Sequence, residues 1–208
     1  MLRNRILIPA IVGALLFCAS AAMAQDNESG SRNEVSVQGS GFFTKDSQGN
    51  GLTQHSTDTG GVLASHRYHF NRWLAVDGSY GYARNTQQNF AAGVGTNVQA
   101  NVHQITGALV VTAPHSVFRL RPFALVGAGA LVFDPTGSAR TSVVGVNEQG
   151  KGAFVYGGGV DYKLVSHVAL RLEYRGFVYD RPDFSLAALH SGATTHTAQP
   201  SAGIVFQF

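Results

Sequence analysis

The sequence is poor in cysteine, in charge and in long apolar runs, and each shortage narrows what the chain can be. Its one cysteine, Cys18, lies in an N-terminal stretch that reads as removable. A mature chain without cysteine holds no disulfide and no thiolate metal site. Charged residues make up only 13% of the sequence, and no run of Lys or Arg interrupts it. The formal net charge is +3, and removing Arg3 and Arg5 leaves +1, so the basic pI does not point to nucleic acid. Beyond the N-terminus the longest apolar run is residues 123–133, broken by glycines. A spanning helix needs about 20 apolar residues, whereas a tilted spanning strand needs about 9–11. That run has the length of a strand.

The N-terminus is a different kind of segment. A basic start, Arg3 and Arg5, leads into an apolar stretch from Ile6 to Ala22, then into the small-x-small site Ala22-Met23-Ala24 and polar Gln25-Asp26-Asn27-Glu28. That order predicts a secretory signal peptide over 1–24, cleaved after Ala24. An uncleaved anchor is the competing reading. Lipidation at Cys18 is disfavoured because Phe17 stands where a small residue is required. A short segment, 25–32, then precedes the folded domain, 33–208.

Eight stretches carry strand-like patterning: 33–44, 58–70, 73–85, 97–112, 118–133, 151–163, 167–179 and 195–208. The connections between them alternate strictly. Those at 45–57, 86–96, 134–150 and 180–194 are long and polar or glycine-rich. Those at 71–72, 113–117 and 164–166 are short and carry Asn, Pro or Ser turn chemistry. Even strand number with short turns on one side and long loops on the other is the pattern of a membrane barrel. The expected fold is therefore all-β: an eight-stranded antiparallel up-and-down transmembrane β-barrel of the bacterial outer membrane, with membrane lipid around it.

Successive strand residues point to opposite faces. Leu74, Val76, Gly78, Tyr80 and Tyr82 oppose Ala75, Asp77, Ser79, Gly81 and Ala83. Val168, Leu170, Leu172 and Tyr174 oppose Ala169, Arg171, Glu173 and Arg175. Phe154, Tyr156, Val160 and Tyr162 oppose a face that includes Asp161, and Val62, Ala64, Tyr68 and Phe70 oppose Leu63, Ser65, Arg67 and His69. On the fourth stretch Ile105, Leu109 and Val111 oppose Gln104, Thr106 and Ala108, but Val98, Ala100 and Val102 fall on the other phase, which suggests a bulge or a shorter strand. On the fifth, Ala124, Val126, Ala128 and Ala130 are expected inward, leaving room for long side chains. A soluble barrel would turn the apolar faces inward. Export, the alternating connections and the aromatic cluster Tyr68, Phe70 and Trp73 beside a short turn favour the inverted arrangement, with those aromatics at the membrane interface.

Inversion places Arg67, Asp77, Asp161, Arg171, Glu173 and Arg175 in the lumen, with His69 near one end. An eight-stranded lumen is only wide enough for its own side chains. Buried charges without partners are costly, so the six are expected to pair as a network. The network either plugs the barrel or, by exchanging partners, gates a narrow path.

With these features the chain resembles the OmpA-like and OmpX-like small outer-membrane β-barrels over the whole mature length. The most specific part is the C-terminus: Ser201, Gly203, Phe206 and Phe208 are similar to the family's C-terminal assembly signal. The resemblance implies that the barrel-assembly machinery reads these residues during biogenesis. The peptidoglycan-binding domain of larger relatives is not expected, since nothing follows Phe208. Some barrels of this size are lipid A deacylases with a His-x-Ser arrangement. No His-x-Ser occurs here, and the adjacent pairs His55-Ser56, His115-Ser116 and His190-Ser191 diverge if extended. No catalytic residue, cofactor site or metal site is expected: His66 and His69 should face opposite sides, and His190 and His196 are only loosely spaced. Arg181-Pro182-Asp183-Phe184 opens the last long loop, where an extracellular partner could bind; no nucleic-acid partner is expected. A structural or surface-interaction role leads, a narrow channel follows, and a lipid-modifying enzyme comes last.

Overall fold

The computed structural model describes residues 32–45, 47–49, 52–56, 58–91, 94–114, 118–136, 148–180 and 194–208. Its strands are β1 (Asn33–Thr44), β2 (Ser47–Gly49), β3 (Leu52–Ser56), β4 (Thr59–His69), β5 (Leu74–Ala91), β6 (Val94–Thr112), β7 (Leu120–Pro135), β8 (Gln149–Val165), β9 (Val168–Asp180) and β10 (Thr194–Gln207). β1 and β4 to β10 form the wall. Each pairs antiparallel with its neighbour, β5 pairs β6, and β1 pairs β10, so the sheet closes and presents no edge to lipid. Following Cα partners once around from Glu34 through Arg67, Asp77 and Ala108 leads back to Thr44 on the starting strand, ten residues further along. That stagger tilts the strands.

The start of β1, the end of β10 and the strand ends joined by the short connections lie at one end, the periplasmic end of such barrels. There Asn33 and Phe208 exchange both backbone hydrogen bonds, at 3.0 and 2.9 Å. The tightest short turn is set by Asn71, whose Oδ1 accepts from the amides of Trp73 (2.9 Å) and Leu74 (2.8 Å).

At the other end the strands outrun their expected lengths. β5 and β6 continue to Ala91 and Val94, and β2 and β3 form a hairpin that pairs onto β5. Two stretches expected as loops, 45–57 and 86–96, are therefore largely extended sheet. Outside the membrane a strand needs no apolar face, so nothing in the polar run 85–91 announces it.

The faces are inverted relative to a soluble barrel. Val37, Val62, Leu109 and Leu172 are 59, 56, 53 and 60% exposed, while Arg67, Asp77 and Arg175 are fully buried. Leu170 and Tyr174 also face outward. Two details of the face assignment need correction. On β7, Ala124, Val126, Ala128 and Ala130 face out; Phe123, Leu125, Gly127, Gly129, Leu131 and Phe133 face the lumen. Both faces of that strand are apolar, so alternation alone could not orient it. On β6 no bulge interrupts the ladder. Ala100 and Val102 share the inner face with Gln104, because that end of the lumen is itself apolar.

Candidate functional site

Among the described residues, the lumen is where the fold gathers charged side chains into one cluster. Each arrives by strand alternation: Glu34 from β1, Arg67 and His69 from β4, Asp77 from β5, Asp161 from β8, and Arg171, Glu173 and Arg175 from β9. Arg171 holds Asp161 with two bonds, Nε to Oδ1 at 2.6 Å and Nη2 to Oδ2 at 2.8 Å, and Nη2 also reaches Glu34 Oε2 at 2.8 Å. Arg67 donates from Nε to Asp77 Oδ2 at 3.3 Å, with Glu34 and Asp161 3.8 and 4.0 Å from its Nη1. Arg175 bonds Glu173 through Nε and Asp77 Oδ1 through Nη2 at 3.1 Å. Its Nη1 donates to Ser79 and to Thr106 Oγ1. His69 Nε2 sits 2.9 Å from Glu34 Oε1, at the periplasmic mouth.

All six charges named from the sequence thus occupy one cluster. Glu34 was not among them. On β1, Glu34, Ser36, Gln38 and Ser40 alternate with Val35 and Val37, a signal of the same kind as on β9. With Glu34 the cluster holds three guanidiniums and four carboxylates, and His69 faces the fourth acid.

An aromatic ring makes this packing possible. Arg67 and Arg171 lie over Phe123, their Cζ atoms 4.4 and 5.0 Å from its centroid. The ring shares with the Leu172 carbonyl of β9 the space a Cβ on Gly159 would need, its Cζ 2.8 Å from that position. Gly159 on β8 is therefore the close-approach glycine that admits Phe123, and with it the two arginines.

Above the charges lies a layer of neutral polar groups. Ser36 bonds Ser65 (2.8 Å), Gln38 donates to Ser36 (3.1 Å), and Ser201 donates to Gln38 Oε1 (3.0 Å). Gln104 donates to Gln199 (3.0 Å), which donates to Ser40 (3.3 Å). Higher still, Phe42, Ala83, Val102, Leu131, Phe133, Val155 and Phe177 are all buried and close the outer half.

On the outer wall, Phe70 and Trp73 are half exposed beside the short turn, and Tyr68 packs edge-on against Phe70 at 5.5 Å. At the opposite rim Tyr80 pairs with His103 and Tyr156 with His196, each at 2.8 Å. Of the C-terminal residues, Ser201 faces the lumen and Phe206 faces out. His66 and His69 lie on opposite faces of β4. The N-terminal stretch 1–31, His115, Ser116, His190, Ser191 and the segment Arg181 to Phe184 lie outside the described residues, as do the side chains of His55 and Ser56.

A closed eight-stranded wall with this inverted lumen agrees with the family comparison: residues 10–208 match the outer membrane protein beta-barrel domain. The chain belongs to that family. Its fold is that of solved outer-membrane barrels. OprG from Pseudomonas aeruginosa superposes with a TM-score of 0.64 at 11% identity, over 88% of this chain and 98% of that one. AlkL in lipid bilayers gives 0.58 at 15% identity, over 88% and 93%. Neisserial surface protein A gives 0.54 at 15% identity, over 84% and 97%. No curated protein sequence matches the chain. Family membership indicates the bacterial outer membrane as its location.

Proposed function

We propose that the protein is a non-catalytic, closed barrel with a structural or surface-interaction role, exported behind a cleaved signal peptide and assembled through Ser201, Gly203, Phe206 and Phe208. The observation that carries this reading is the filled lumen. Among the described residues, interlocked ion pairs fill its periplasmic half and mainly apolar buried side chains its outer half. With the lumen filled, the connections at the outer end are the parts available to a partner outside the cell. A narrow channel is the second reading. It draws on Arg175, which already contacts two carboxylates, Asp77 and Glu173, and so has alternative partners for a gating exchange. Planar-bilayer recording of the purified, refolded protein separates the two. The closed barrel gives no discrete current steps. Reproducible unitary steps would reject it in favour of the channel.

A further inference from the structure

The wall is not uniformly bonded. Between β1 and β10 the register runs from Glu34↔Gln207 to Ser40↔Ser201 and resumes unchanged at Phe43↔Ala198. The two intervening positions, Gly41 opposite Pro200 and Phe42 opposite Gln199, do not pair. The cause is chemical. Odd-numbered β1 residues are the ones that bond to β10: Asn33 exchanges bonds with Phe208, and the Lys45 amide donates to the His196 carbonyl at 3.0 Å. Gly41 falls in that series, and its partner Pro200 has no N–H to give. In a soluble sheet proline keeps to edges or bulges; here it sits inside the last strand of a closed wall. The β4–β5 seam, by contrast, pairs without interruption from Gly61↔Ala83 to His69↔Ala75.

Aromatic rings cover the gap on both sides. Outside, the Phe43 ring folds back over Gly41, with its Cε2 2.8 Å from where a Cβ on Gly41 would stand. Inside, Phe42 is buried, its ring against Gly61 on β4. Clasps stand above and below: the Thr44 and Thr197 hydroxyls at 2.8 Å, and Ser201 on Gln38. The gap lies at the level of Gln199, where the polar part of the lumen gives way to the apolar part.

We propose that the β1–β10 seam at Gly41 and Pro200 is a built-in point of lateral opening, closed at rest by Phe42 and Phe43. Opening there swings Phe42 out of the lumen and joins its apolar outer half to the surrounding hydrocarbon, without disturbing the ion pairs below. The proposal does not depend on whether the lumen conducts along its axis.

The test is residue-resolved amide hydrogen exchange of the full chain in lipid nanodiscs, with the β4–β5 seam as internal reference. The amides of Phe43 and Ala198 should exchange about tenfold faster than those of Val62 and Tyr82, since one missing ladder bond lowers the local opening free energy. Pro200→Ala restores the donor and should slow Phe43 and Ala198 several-fold, leaving Val62 and Tyr82 unchanged. A Thr44→Cys/Thr197→Cys disulfide should slow the same two amides and release them on reduction. Equal exchange on both seams of the unmodified protein would overturn the proposal. So would a folded Pro200→Ala variant in which Phe43 and Ala198 exchange as before.

Discussion

Below the level of Gln104 and Gln199 the lumen holds three guanidiniums, four carboxylates and several hydroxyls, beside Val110 and Leu125; above it Val102, Leu131, Phe133, Val155 and Phe177 predominate, with the hydroxyls of Thr195 and Thr197 among them. The wall around both halves is built alike, so the contrast isolates what the filling does. Ion pairs are directional. Arg171 meets Asp161 with two bonds only if β8 and β9 keep their register, and a slip of one residue would turn Arg171 into lipid. Apolar filling has no such demand and tolerates exchange of one side chain for another of similar volume. The inner half thus specifies the barrel, and the outer half seals it.

That division predicts unequal fragility. The largest effect is expected from Arg171→Met, which leaves Asp161 and Glu34 as buried carboxylates without their main partner. Such one-sided removals cost about 3–5 kcal/mol. The measurement is urea unfolding in detergent micelles, read from the gel mobility difference between folded and unfolded barrel. A loss below 1 kcal/mol would mean that water reaches the cluster and that the inner half specifies little.

The same experiment on the outer half sharpens the comparison. Leu131→Ala should cost about 2–3 kcal/mol, by lost burial and the cavity left behind. Its cost should also be independent of salt, whereas added salt should change that of Arg171→Met if ions enter the opened cluster. Leu131→Met, nearly volume-conserving, should cost less than about 1.5 kcal/mol. If Leu131→Met were as damaging as Leu131→Ala, the outer half would be as shape-specific as the inner one, and the distinction would fail.

The two halves also differed in how openly the sequence displayed them. Arg171, Glu173 and Arg175 stand out because each is flanked by Leu170, Leu172 or Tyr174, and period-two contrast then assigns both faces at once. Glu34 carries the same signal, alternating on β1 with Val35 and Val37. The outer half was hidden for a physical reason. On β7, Leu131 and Phe133 look into the lumen while Ala128 and Ala130 look at lipid, and apolar residues on both faces leave no contrast to read. The same loss explains Ala100 and Val102 on β6: they share the inner face with Gln104, and an apolar stretch of lumen gives no polar contrast to mark it. Packing around Phe123 and Gly159 joins β7 to β8 across the ring, a relation that no single strand contains.

The boundary itself provides the finest test. Gln104 on β6 donates to Gln199 on β10 across the lumen, both side chains fully buried, at the level where the filling turns mainly apolar. Replacing one partner, as in Gln104→Leu, strands the other amide and should cost about 1–3 kcal/mol. Replacing both, Gln104→Leu with Gln199→Leu, removes donor and acceptor together and extends the apolar half downward by one layer. The remaining partner, Ser40, keeps little to lose, so the double variant should come within about 0.5 kcal/mol of the parent. That near-cancellation requires the outer half to accept more hydrocarbon at its lower edge. A double variant as unstable as the sum of the singles would show instead that the glutamine pair belongs to the specifying network, and that the polar half reaches one layer higher than the burial pattern places it.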